Sequence, residues 1–310
     1  MRATTGPTAR TGAAMAFVSG PPARVILFGG KSGSTYLNDT WSWDGVTGTW
    51  RPLTTPMSPP ARSGHAMVGI AGNVYIFGGI TSSDGGATAY LGDSWQLTVT
   101  GPSPAWAVAA ESAALPAARS GHSMVANPRL SAGVVLFGGE SASGFTADTW
   151  ARTTVSWMDV TASSTMRPSA RFGHAVASDT GRGAIFLFGG QAMQGVVASV
   201  AGDTWIYDGT SQWSPVTPAA GVAPPPVYNA AMVFDSRAGR ALLFGGRVAA
   251  GQAVGTTWEL SGGNTWIQRH PTTSPPARAE HAMAYDAASD HVVLFGGGSD
   301  TDTWEWTGAP

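Results

Sequence analysis

The sequence predicts an all-β fold, a six-bladed β-propeller whose blades are four-stranded antiparallel sheets standing around one axis. Three observations carry that prediction. An apolar run ending in Phe-Gly-Gly occurs six times, closing at Phe28, Phe77, Phe137, Phe188, Phe244 and Phe295, with intervals of 49, 60, 51, 56 and 51 residues. A unit of this length cannot bury its own faces and must stack on copies of itself. The chain is rich in turn formers, with 42 Gly and 21 Pro against only 12% charged residues, as short strands require. Eleven of the 13 tryptophans also fall in fixed register within the repeats.

Each repeat has four parts, and the second shows them all. Pro60-Ala61-Arg62-Ser63-Gly64-His65-Ala66-Met67 opens it, Val74-Tyr75-Ile76-Phe77-Gly78-Gly79 follows, then Asp93-Ser94-Trp95 and Ala105-Trp106. The fourth repeat writes Ala170-Arg171-Phe172-Gly173-His174, Ile185–Gly190, Asp203-Thr204-Trp205 and Gln212-Trp213. Apolar runs this short, bounded by Gly and Pro, are buried strands. Asp44-Gly45 and Asp208-Gly209 lie between the third and fourth parts, where a tight hairpin favours positive φ. Six tryptophans open the third strands (Trp41, Trp95, Trp150, Trp205, Trp258 and Trp304), and five sit on the fourth (Trp50, Trp106, Trp157, Trp213 and Trp266). One register in every unit marks them as packing between blades.

The repeats fall at approximately 7–56, 57–115, 116–165, 166–222, 223–272 and 273–310, making residues 1–310 a single domain. The last one ends after Trp304-Glu305-Trp306 without a fourth strand. Arg2-Ala3-Thr4-Thr5 resembles Arg51-Pro52-Leu53-Thr54-Thr55, which follows Trp50, so residues 1–6 are expected to complete the last blade and close the ring.

Composition excludes several classes. A net charge of −2 gives no footprint for nucleic acid, and no apolar stretch approaches the ~20 residues of a membrane-spanning helix. The absence of cysteine excludes disulfides, thiolate metal sites and cysteine nucleophiles. Residues 1–20 show no signal-peptide pattern, which leaves the compartment open.

The Arg-x-Gly-His opening, the double glycine after an apolar strand and the spaced tryptophan pair resemble the Kelch-repeat family from about Arg10 to the C-terminus. The resemblance implies a propeller with a central channel. Its members include peptide-binding receptors, actin binders, sialic acid mutarotases, nitrile-specifier proteins and a copper radical oxidase, so fold does not settle activity. The galactose oxidase type of site needs a cysteine, and the iron segment Glu-x3-Asp-x3-His of nitrile-specifier proteins is not present. No cofactor and no metal site is expected.

Strand direction alternates in a meander. The Arg-x-Gly-His openings, the residues after Gly-Gly and the Asp before Trp therefore share one rim. The loops there, from the last Gly to the Asp position, number 8, 13, 8, 12, 9 and 4 residues. Variation on a fixed scaffold marks binding loops. In acidic-peptide-binding Kelch receptors, arginines of this element line the pocket, so the resemblance makes Arg62, Arg119, Arg171 and Arg278 ligand-binding candidates. A scaffold role competes: five blades carry both this Arg and the Asp, whereas the fifth has Val227 and Thr256, losing both together. Bidentate Arg–Asp bridges are the expectation from that joint loss. His65, His122, His174 and His281 begin the innermost strands, with Ala13 and Ala230 at the other two positions.

Places where repeats disagree point to function. After Gly-Gly stand Lys31, Ile80, Glu140, Gln191, Arg247 and Gly298. Tyr228 and Asn229 interrupt the fifth opening, and Glu280 replaces a Gly in the sixth. Lys31, Glu140, Gln191, Arg247, Tyr228, Asn229 and Glu280 would form a polar mouth of mixed charge. The leading reading is a noncatalytic interaction module taking a peptide, protein or carbohydrate ligand at the channel rim. The alternative is a sugar mutarotase or isomerase in which Glu280 or Glu140 acts as acid or base. A purely structural repeat unit is the third.

Overall fold

The computed structural model describes residues 6–82, 86–100, 103–111, 114–130, 133–153, 156–161, 166–194, 197–219, 222–299 and 301–308. Five four-stranded sheets and a final three-stranded one follow each other along the chain. Blade 1 is built from Ala14–Val18, Arg24–Phe28, Thr40–Asp44 and Thr49–Pro52, paired in that order and antiparallel throughout. Blade 6 comprises His281–Asp286, His291–Gly296 and Thr303–Trp306. The first strands contact one another in sequence from blade 1 to blade 6, and that of blade 6 contacts blade 1. The sheets therefore form a closed circuit. The expected fourth strand of blade 6 falls on residues 1–5, outside the described residues.

Burial explains why these segments are strands of this kind. The second strand of each blade has a neighbouring blade on both faces, so it reads as an unbroken apolar run. Val25, Ile26, Leu27 and Phe28 are all fully buried. The outermost strand alternates instead: Trp50 is buried between exposed Thr49 and Arg51. The apolar core is divided into six clusters, each joining one pair of adjacent blades. At five junctions the outer tryptophan of one blade packs on the Phe-Gly-Gly phenylalanine of the blade before it, at ring separations of 4.9 to 5.6 Å. Four of these indoles also donate to a threonine hydroxyl of that preceding blade, as Trp106 does to Thr40 at 3.0 Å. Trp106→Phe keeps the packing and leaves the buried Thr40 hydroxyl without its donor. A loss of about 1–2 kcal/mol in urea unfolding is expected.

The blade 5–blade 6 junction differs. Among the described residues no outer tryptophan stands at this junction, and Phe244 and Thr257, the counterparts of Phe28 and Thr40, border a cavity of about 70 Å³.

The double glycine is fixed by close approach. Gly29 and Gly30 have φ of 62° and 98°, and a Cβ on Gly29 would lie 2.8 Å from the carbonyl oxygen of Arg62 in the next blade. Gly30 N–H donates to that same carbonyl at 2.8 Å, so the corner docks one blade on another. The Gly297 N–H to Arg10 carbonyl bond, at 2.9 Å, repeats this contact between blades 6 and 1.

Candidate functional site

The rim geometry follows from a clamp repeated in five blades. Arg62 is fully buried, and its guanidinium donates to both carboxylate oxygens of Asp93 at 2.7 Å. It also donates to the Gly78 carbonyl at 3.0 Å and the Pro60 carbonyl at 3.0 Å. The Trp95 indole N–H donates to Asp93 Oδ2 at 2.6 Å. Thus opening, double-glycine corner and third strand are tied together by one side chain. Arg10–Asp39, Arg119–Asp148, Arg171–Asp203 and Arg278–Asp302 repeat the bidentate pairing, with the last looser at 3.3 Å. Burial works to raise the pKa of these aspartates, but the guanidinium and indole donors together hold it below the usual carboxylate value.

The joint loss of Arg and Asp in blade 5 now has its physical reason. Val227, 2% exposed, packs in the apolar cluster between blades 4 and 5 instead of a guanidinium. The Trp258 indole N–H is left without a hydrogen-bond partner, because Thr256 stands where the other blades have the accepting Asp. Arg62, Arg119, Arg171 and Arg278, the candidates that the resemblance supplied, are each engaged in such a clamp. All four are at most 2% exposed, and their donors point into the scaffold.

Around the channel opening runs a hoop of backbone hydrogen bonds. Gly64 N–H donates to the Gly12 carbonyl, Gly121 to Gly64, Gly173 to Gly121, Asn229 to Gly173, Glu280 to Asn229 and Gly12 to Glu280, at 2.6 to 2.9 Å. All six residues have φ between 55° and 65°. Four are glycines, which adopt this region freely; Asn tolerates it, whereas Glu280 is held there at a cost of about 1–2 kcal/mol. Asn229 and Glu280 thus occupy the glycine position of the opening, as the sequence register predicts.

Just outside the hoop, the residue after Gly-Gly pairs with the residue after the opening Arg position. Thr11 faces Lys31, Ser63 faces Ile80, Ser120 faces Glu140, Phe172 faces Gln191 and Tyr228 faces Arg247. The variable residues of five blades are therefore brought to one rim. Beyond them, short ribbons project in blades 1 to 4; in blade 3 the ribbon is a direct continuation of Val134–Ser141 and Gly144–Arg152 past the double glycine, and in blade 4 Gln191–Gln194 pairs with Val197–Val200.

The mouth enclosed here is a cavity of about 380 Å³ bordered by Ser63, Ser120, Glu140, Phe172, Asn229 and Glu280. It continues into a channel of about 320 Å³ lined by the first strands of all six blades. The Asn229 amide donates to Glu280 Oε1 at 3.4 Å, and Arg247 Nε stands 3.8 Å from the same oxygen. The Lys31 ammonium lies over the Tyr36 ring, 4.9 Å from its centroid. Phe172 packs edge-on against Phe145 at 4.9 Å and faces Tyr228 at 6.4 Å, an aromatic ledge on one wall. Sequence reading missed Phe145 and Phe172. The signal for Phe172 was a large aromatic where Thr11, Ser63 and Ser120 stand in earlier repeats.

Four histidines lie in the inner wall, each buried and edge-on to the preceding blade's phenylalanine, as His65 is to Phe28 at 5.4 Å. Burial, aided by the neighbouring clamp arginine, lowers the pKa of His65, His174 and His281 from 6.5 to about 3, and that of His122 well below its usual value. The four rings are neutral at pH 7. Among the described residues no group of three or more His, Cys, Asp or Glu is arranged to hold a metal ion, and no helix is long and apolar enough to cross a membrane.

Comparison with known proteins agrees with this architecture. The model of the KLHDC2/KLHL20/DRC7 Kelch-repeats domain matches residues 2–128 and 52–246. Adagio-like protein 3 of Oryza sativa subsp. japonica is 27% identical over 292 residues, which is 88% of this chain and 44% of that protein. The Rho GTPase-activating protein gacHH of Dictyostelium discoideum is 29% identical over 120 residues, 38% of this chain and 8% of that protein. The chain spans less than half the length of these curated relatives. The solved structure of YjhT superposes with a TM-score of 0.72 at 16% identity, covering 97% of this chain and 95% of that one, a likeness of fold. With five clamped openings, six double-glycine corners and a family model spanning most of its length, the chain belongs to the Kelch-repeat family.

Proposed function

We propose that the protein is an interaction module that takes a peptide segment of a partner protein at the hoop-side mouth of its channel. The observation that carries this reading is the gathering of the non-repeating residues. Glu140, Gln191, Tyr228, Asn229, Arg247 and Glu280 converge on one rim, although packing and clamping need none of them. A scaffold that repeats its structural residues and varies only those at one opening separates stability from recognition.

Selection of a random dodecapeptide phage library on the immobilised protein tests the reading. Enriched peptides are expected to lose binding to a Gln191→Ala/Tyr228→Ala variant and keep it with Arg237→Ala, which changes an exposed side chain in the turn leaving the first strand of blade 5. Peptides indifferent to the rim variant, or no enrichment at all, would remove it.

A further inference from the structure

The charged groups bordering the mouth cavity are two carboxylates, Glu140 of blade 3 and Glu280 of blade 6, contributed by blades that are opposite each other in a six-membered ring. The nearby cations are held elsewhere. The clamp arginines are buried on their aspartates, and Lys31 sits over Tyr36. Arg247 donates to the Gly251 carbonyl at 3.0 Å and leaves a loose 3.8 Å approach to Glu280. The four imidazoles add no positive charge, since burial keeps them neutral.

One further feature suits a particular ligand chemistry. Phe172 borders the cavity and presents an aromatic surface beside Tyr228. A planar cation stacks on such a ring while its edge donors reach carboxylates.

We propose that the mouth receives a cationic side chain of the partner peptide, an arginine or a lysine, between Glu140 and Glu280 and against Phe172. This rests on the interaction reading above. It also gives a reason for a glutamate in the left-handed region: the hoop would accept glycine at Glu280 with less strain, but glycine brings no carboxylate.

The same dodecapeptide selection separates the two claims. Enrichment of peptides with one Arg or Lys in common is expected, followed by a loss of at least tenfold in affinity when that residue is changed to Gln. Binding measured by fluorescence anisotropy should weaken by fivefold or more in Glu140→Gln and in Glu280→Gly, and again between 50 and 500 mM salt. Glu280→Gly keeps the backbone conformation that the hoop needs, so its melting temperature should stay within a few degrees of the parent's. Retained stability with lost binding assigns the carboxylate to recognition. Acidic or neutral peptides enriched at the mouth would overturn the cationic assignment and leave the interaction reading in place. Basic peptides unaffected by both Glu substitutions would do the same, and absence of any rim-dependent peptide removes both claims.

Discussion

Arg119→Ala is expected to lower the free energy of unfolding by about 3–5 kcal/mol, because it leaves Asp148 beside a vacated, desolvated site. Asp148 is 24% exposed at its side chain, so water cannot fully replace the guanidinium. The Gly138 carbonyl also loses its donor at 2.9 Å and the Ala117 carbonyl its own at 2.9 Å. Blade 5 supplies the control. An Arg119→Val/Asp148→Thr double variant copies Val227 and Thr256, removing both charges together, and should recover more than half of the loss. What it cannot recover is the acceptor for the Trp150 indole, which donates to Asp148 at 2.7 Å and would become as unpartnered as Trp258. Urea unfolding of the two variants decides the matter. A single variant within 1 kcal/mol of the parent, or a double variant no better than the single, would contradict the clamp's energetic role.

Acid should unfold the protein across an unusually high pH range. His65, His174 and His281 have folded-state values of about 3, and His122 is also strongly lowered, against an ordinary 6.5. Between those limits the unfolded chain binds protons that the folded one refuses, so stability rises with pH and is lost as pH falls from about 6.5 towards 3. Each histidine contributes a slope of up to about 1.4 kcal/mol per pH unit in the middle of that window. Below pH 4 the clamp aspartates add a loss of the same sign, since their folded values are also lowered. His281→Ala, which copies Ala13 and Ala230, should reduce proton uptake on unfolding at pH 5 by close to one. The observable is the pH dependence of the urea midpoint; a flat profile from pH 7 to 5 would refute the buried neutral rings.

The blade architecture was readable in advance because each structural demand is stated five or six times. The Phe-Gly-Gly corner, the paired tryptophans and the alternation of strands left little freedom for another arrangement. Bidentate clamps were readable from one defect, the joint loss at Val227 and Thr256. Whether the arginines serve a ligand or the scaffold was not, since either role asks for the same residue at the same place. In the structure they are buried on their aspartates. Phe145 and Phe172 escaped notice because neither repeats around the ring: Phe145 lies in a connection of variable length, and Phe172 shares an aromatic at its position only with Tyr228. The hydrogen-bonded hoop escaped for a different reason: it is made by main-chain groups, and its only trace in the side chains is four glycines, Asn229 and Glu280 sharing one position.

That hoop has an electrostatic consequence. A helix terminus lines up its peptide dipoles and so presents a fixed polarity to any visitor. Here six residues close a circle in which each N–H donates to a neighbour's carbonyl, so all six of these donors are spent within the ring. None of them is left over to greet a visiting anion. The charges that border the opening sit on replaceable side chains, so a handful of substitutions suffices to reverse which charge it welcomes while the frame beneath stays the same.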